Sequence, residues 1–174
     1  RTFHHDKQLG GGALLSFMSH VINYVPWLLN KQITKLDKQT NTFFHQRKNE
    51  KGKLFNVSAE DSVNMIGFCE DVEMNLSVSN AIKFCDEHRV SIFGETGKLE
   101  LCMNAPFRSK DKNILLTQIG GARNLKISEE DFHGDSRVNA VAGLWAEIFN
   151  LDSSDKEKKL PTFKDAIDGW SWLQ

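Results

Sequence analysis

Between Ala13 and Leu29 the apolar residues fall at helical intervals. Leu14, Met18, Val21, Val25 and Leu28 recur every three or four positions, which builds one apolar face. A second stripe, Ser16, His20, Asn23 and Trp27, keeps the same spacing and is polar except for its last member. Pro26 breaks the pattern: a mid-helix proline costs about 3 kcal/mol, so a kink or a tightened last turn is expected there. Beyond Leu29 the period changes to two. A strand is expected from Ile33 to Phe44, with Lys51-Gly52 in the loop that follows. Val63 and Met65, then Val72, Met74, Leu76 and Val78, alternate with polar or small residues, and Glu70-Asp71 lies between the two runs. "RVSIFGETGKLELCM" repeats the design, with Gly97 expected to supply the positive φ of a turn at Glu95-Thr96-Gly97, and "NILLTQIGGARNLKI" makes a further hairpin about Gly120-Gly121.

Two helices close the pattern. Val138 to Phe149 places Val141, Leu144, Trp145 and Ile148 on one face, and Thr162 to Leu173 opens with Thr162 and Asp165 at capping-box spacing after Pro161. "LDSSDKEKK" between them is expected to be an exposed loop. Successive hairpins with short turns specify antiparallel pairing. The fold class predicted is α+β: an open, mostly antiparallel sheet with helices packed on one face, in a single domain over residues 1–174.

Composition narrows the function classes. The chain has 174 residues, 40% of them hydrophobic, with a net charge of −1, so it can bury one good core but has no basic surface to track a phosphate backbone. Lys156 to Lys159 is interrupted by Glu157 and belongs to a solvated loop. Nucleic acid is not an expected partner. No apolar run reaches the roughly 18 residues of a membrane span, and no membrane partner is expected. Cys69, Cys85 and Cys102 are widely spaced without C-x-x-C, which favours a reducing compartment and a cytoplasmic location over a disulfide framework. The chain starts at Arg1 in "RTFHHD", without initiation or export character, and is expected to begin inside a longer protein.

His20 is the main chemical candidate, because an imidazole donates or accepts a proton near neutral pH. Ser16 lies one turn before it and Asn23 one turn after, and either can hold the ring; a histidine satisfied at a helix–sheet interface is the plain alternative. Gly10, Gly11 and Gly12 precede the helix, where bare backbone amides can approach a ligand, or where a flexible joint is all that is needed. The triplet is not G-x-G-x-x-G. His4 and His5, followed by Asp6, lack a third ligand close in sequence, so no metal site is expected. His45, His88 and His133 are scattered and read as surface, while Glu60-Asp61 and Glu129-Glu130 read as solvated caps. No G-x-S-x-G is present, and no nucleophilic triad can be assembled.

"LGGGALLSFMSHVINYVPWLL" resembles the segment that opens the C-terminal domain of the glucose–fructose oxidoreductase and inositol dehydrogenase family, the Gfo/Idh/MocA proteins, which typically read G-G-G-A-L-x-D-x-G-x-H-x-I-D there. "VSIFGETGKLEL" and "LPTFKDAIDGWSWLQ" are similar to that family's later hairpin and closing helix, in the same order. The spacing from "VSAEDSVNM" to "GETGKLEL" is most like the animal glucose–fructose oxidoreductase domain-containing proteins. The resemblance implies a dihydrodipicolinate reductase-like or GAPDH-like C-terminal fold. It further implies an N-terminal Rossmann domain elsewhere in the parent protein that holds NAD or NADP, and a sheet that covers the substrate pocket and pairs two subunits as a homodimer.

Carried over by position, His20 stands at the family's catalytic histidine, which moves the proton of a sugar or polyol hydroxyl. Ser16 and Asn23 stand where aspartates that bind substrate or orient the histidine are usual, and Met18 replaces a small residue. Losing both carboxylates leaves a protonated His20 less supported. On this resemblance Gly10, Gly11 and Gly12 are the cofactor-side candidates, and the fragment alone is expected to be inactive. Three readings stay open: a substrate-binding and dimerisation domain of an NAD(P)-dependent oxidoreductase, a catalytically silent ligand-sensing or scaffold domain, and an independent interaction module.

Overall fold

The computed structural model describes residues 3–82, 87–104, 112–125, 136–149 and 160–174. Short 3-10 turns at Phe3–His5 and Lys7–Leu9 lead through the glycines into one helical stretch. Its first part, Leu14–Met18, is a π-helical turn, and its remainder, α1, is α-helical over Ser19–Leu29. Pro26 is carried inside α1, and the helix ends at a left-handed Asn30 with φ 51°. There the Lys31 N–H donates to Pro26 O at 3.1 Å and the Asn30 N–H to Trp27 O at 3.2 Å, which satisfies the last carbonyls in a Schellman-type close.

Nine strands follow among the described residues: β1 Ile33–Asn41, β2 Gln46–Lys48, β3 Leu54–Asn56, β4 Ser62–Cys69, β5 Val72–Ser79, β6 Glu87–Gly94, β7 Gly97–Asn104, β8 Lys112–Gln118 and β9 Gly121–Leu125. Two helices complete the set, α2 Ser136–Phe149 and α3 Phe163–Ser171. Every ladder is antiparallel, so the fold class is α+β as the alternation implied. In place of one open sheet, hydrogen bonding divides the described strands into three: β1-β4-β5, β2-β3 and β6-β7-β8-β9. The β2-β3 hairpin was not expected, because strands of three residues are too short to show alternation. The chain forms two compact units, Arg1–Lys83 with Leu160–Gln174, and Phe84–Lys159.

In the first unit β4 lies at the centre of its sheet. Val63, Met65, Gly67 and Cys69 are buried while Ile66 and Phe68 on the opposite face are exposed. Val63 and Met65 join Ala13, Met18, Ile22 and Leu173 in one apolar cluster, with Leu36, Leu76 and Val78 packed against it. A Cβ on Gly67 would lie 2.0 Å from Lys35 O, so glycine is what lets β1 close on β4 here. α3 is started by the expected capping box. The Asp165 N–H donates to Thr162 Oγ1 at 3.2 Å, and the Thr162 N–H donates to Asp165 Oδ2 at 2.7 Å. By length and composition alone Lys7–Leu29 is long and apolar enough to cross a membrane. Its Ala13, Met18 and Ile22 belong to the apolar cluster of the first unit.

The second unit is a four-stranded meander with α2. Gly94 pairs with Gly97 across a two-residue turn, Glu95-Thr96. Gly97 does not have the positive φ expected of it; its need for glycine is steric, since a Cβ would lie 2.3 Å from Thr117 O on β8. Gly120 and Gly121 do take positive φ, 106° and 138°, at the β8-β9 turn. The apolar face foreseen on α2 is present, but Val141, Leu144, Trp145 and Ile148 are all exposed. Cys85, His133, Glu129-Glu130 and the 151–159 loop lie outside the described residues.

Candidate active site

His20 is the second residue of α1 and its side chain is exposed, not sealed in the helix–sheet interface. Among the described residues it has no hydrogen-bond partner. The polar stripe read from the spacing does not converge on it. Ser16 Oγ lies 3.3 Å from His4 Nδ1 instead. Asn23 is half-buried; its Nδ2 donates to Ser19 O at 2.7 Å, and a Cβ on Gly169 would lie 2.4 Å from its Oδ1. Asn23 therefore spends its amide on α1 and its bulk against α3. Met18 is fully buried in the core.

The glycine triplet is folded tightly onto the chain itself. The Gly10 N–H donates to Lys7 O at 3.1 Å, that of Gly11 to Asp6 O at 2.9 Å and that of Gly12 to His4 O at 3.0 Å. A Cβ on Gly11 would lie 2.1 Å from Phe3 O, and one on Gly12 would lie 2.0 Å from Glu60 Oε1. The helix start that follows is already met by an anion: the Leu14 N–H donates to Glu60 Oε1 at 3.0 Å and the Ala13 N–H to Glu60 O at 2.9 Å. No amide of the triplet is left over for a phosphate. These residues do not fit a dinucleotide cradle, and the reading of bare amides turned toward a ligand gives way to one of close backbone packing.

Two groups that the sequence left as solvated caps have larger roles. Glu60 holds the front of the helix that carries His20. Asp61 is 5% exposed and accepts hydrogen bonds from the Phe43 and Phe44 amides at 2.9 and 3.0 Å, with Arg47 Nη2 at 3.6 Å from Oδ2. Both partners are distant in sequence, so only the following core residues, Val63 and Met65, hinted that this pair sits at a buried edge. His45 is exposed as expected, whereas His88 on β6 is half-buried, and burial pushes its imidazole below the usual histidine range. No group of three or more His, Cys, Asp and Glu among the described residues is arranged to hold a metal.

The geometry is that of an α+β domain that presents a histidine at the front of a helix laid over an antiparallel sheet. A family model described as the GFO/IDH/MocA C-terminal domain matches residues 1–100. The chain belongs to the GFO/IDH/MocA family through that domain. Among solved structures it is similar to the transcriptional regulator Gal80p from Kluyveromyces lactis, at 14% identity and a TM-score of 0.74 over 98% of this chain and 44% of that one. It is similar to an NAD-binding oxidoreductase from Klebsiella pneumoniae, at 19% identity and a TM-score of 0.74 over 99% of this chain and 50% of that one. It is also similar to an aldose–aldose oxidoreductase from Caulobacter crescentus complexed with glycerol, at 15% identity and a TM-score of 0.63 over 99% and 46%. At such identities the likeness is one of fold. The chain spans about half the length of these structures. No curated protein matches it significantly in sequence.

Proposed function

We propose that this chain is the substrate-facing domain of an NAD(P)-dependent oxidoreductase acting on a sugar or polyol hydroxyl, with His20 as its proton-transferring group. The observation that carries the reading is that His20 is exposed and without a hydrogen-bond partner among the described residues; the resemblance of the sequence supports giving it the family's histidine role. A bound NAD or NADP supplies the hydride chemistry, and in this reading a Rossmann domain holds it, because the glycine triplet here offers no free amide. His20 takes the hydroxyl proton as the alcohol is oxidised and returns it in the reverse direction. The titles of the Klebsiella and Caulobacter structures, which name NAD binding and aldose chemistry, support the substrate and cofactor classes. A homodimer formed through the sheet, a cytoplasmic location, and a kinship with the animal glucose–fructose oxidoreductase domain-containing proteins belong to the same proposal.

The test is reduction of NAD or NADP by the full-length protein with a panel of aldoses and polyols as hydride donors. His20→Ala should lower kcat by about 10²–10⁴-fold, the range of a lost general acid or base, with folding unchanged because the side chain is exposed. Equal turnover in the variant would overturn the assignment.

One observation favours a second reading, a domain that keeps the fold and senses a ligand without chemistry. Neither Ser16 nor Asn23 is hydrogen-bonded to His20: one contacts His4 and the other donates to Ser19 O, and neither carries a carboxylate. No neighbouring carboxylate is thereby provided for an imidazolium. The likeness to Gal80p, titled a transcriptional regulator, suits that reading. Ligand binding with no turnover, unaffected by His20→Ala, would select it.

A further inference from the structure

The glycine triplet offers no amide to a ligand, yet its geometry brings two side chains together. His4 lies in the 3-10 turn Phe3–His5, and that turn packs against Gly11 where a Cβ would fall 2.1 Å from Phe3 O. Gly12 then holds both partners. Its N–H donates to His4 O at 3.0 Å, and its carbonyl accepts from the Ser16 N–H at 3.1 Å. With both backbones tied to one residue, His4 Nδ1 comes within 3.3 Å of Ser16 Oγ. The His4 ring also lies beside Phe3, at 3.9 Å between centroids. His4 is exposed and Ser16 half-buried, so the pair is open to a ligand. It sits on the helical stretch that carries His20, with Ser16 at the position where the resemblance places an aspartate.

We infer that Ser16 and His4 act as a pair that binds a hydroxyl of a neutral polyhydroxy ligand, with Ser16 in contact and His4 as the positioning residue behind it. The inference rests on the sugar or polyol reading above and adds to it the group that stands in for the missing carboxylate. With the proton on Nε2, Nδ1 accepts from the Ser16 O–H, and Oγ turns its lone pairs to a ligand hydroxyl. With the proton on Nδ1, the ring donates to Oγ, and the Ser16 O–H is released to donate. A ligand hydroxyl is both donor and acceptor, so either arrangement meets it, whereas a carboxylate only accepts. Gly11 and Gly12 serve this site by admitting the turn that carries His4.

Isothermal titration of the full-length protein with sorbitol and glucose tests it, and saturable binding of one of them is expected. His4→Phe keeps a ring beside Phe3 but has no Nδ1, and should weaken binding about three- to tenfold. Ser16→Ala should weaken it at least as much, and His4→Phe should then add nothing further, because its effect passes through Ser16. His4→Asn puts an amide oxygen near the place of Nδ1 and should restore most of the affinity. Should His4→Phe fail to fold by circular dichroism, His4→Ala takes its place in the cycle. In steady-state turnover the His4→Phe loss should fall on KM, whereas that of His20→Ala falls on kcat. The inference falls if neither probe saturates below about 100 mM, if His4→Phe binds like the parent protein, or if its loss persists in the Ser16→Ala background. Equal turnover in His20→Ala overturns only the proton-transfer assignment, and the titrations still read the pair.

Discussion

The two units share a hydrophobic rhythm and put it to different use. In the first, strand alternation and helix periodicity meet. Every fully buried apolar residue among those described, from Ala13 and Met18 through Val63 and Met65 to Leu173, lies in this unit. In the second, β6 and β7 alternate in much the same way, yet Phe93 on β6 is 76% exposed, Ile119 at the β8-β9 turn 97% and Phe149 of α2 79%. Trp145 of α2 stacks on Phe149, one turn on, at 5.6 Å between ring centroids. Periodicity tells which residues share a face, whereas burial needs a second face brought against the first.

That contrast can be broken by mutation. Met65→Ala should cost about 2–5 kcal/mol, as fully buried side chains do, while Ile119→Ala should stay within about 0.5 kcal/mol. Urea denaturation of both variants checks this, and comparable losses would erase the distinction. Next in size are the glycines at close approaches. Gly12→Ala would push the Glu60 carboxylate off the helix start and strain a φ of 112°, and Gly97→Ala would drive β7 from Thr117 O. Each should cost about 1–3 kcal/mol, and Gly12→Ala should also lower turnover by moving His20, whereas Gly97→Ala should not. Denaturation midpoints and steady-state rates read the two effects separately.

Thr162→Ala removes the capping box of α3 and should cost about 1 kcal/mol, seen as a lower midpoint that Thr162→Ser restores. The smallest effect is one of pH. Burial lowers the His88 pKa in the folded state, so the unfolded chain binds the proton more readily. Stability should therefore fall as pH drops through the ordinary histidine pKa toward the lowered one, and hold above it. His88→Gln should flatten that part of the profile measured between about pH 5 and 8.

Much of the architecture could be read in advance because its causes are local. The Thr162–Asp165 cap, the Glu70-Asp71 turn, the β6-β7 and β8-β9 hairpins and the inward face of β4 each follow from neighbours in the chain. The site was less legible. The stripe from Ser16 to Trp27 was read from spacing within one helix, and the contact of Ser16 Oγ with His4 Nδ1 comes from the turn that folds back before it. Gly97 was known to matter, but for the wrong reason, because the strand it must admit lies some twenty residues further on.

By itself, the sequence determined the class of fold, the order of the hairpins and a histidine on the polar side of the first helical stretch, since period, turn chemistry and capping act over a few residues. Only the tertiary structure decided what the glycine triplet, Glu60, Asp61 and Arg47 do. Those groups meet across forty or more residues of chain, as when the Glu60 carboxylate fills the space left by Gly12, or across the β2-β3 hairpin, as when Arg47 settles beside Asp61. Contacts of that reach depend on how the whole unit closes, and no local spacing encodes them.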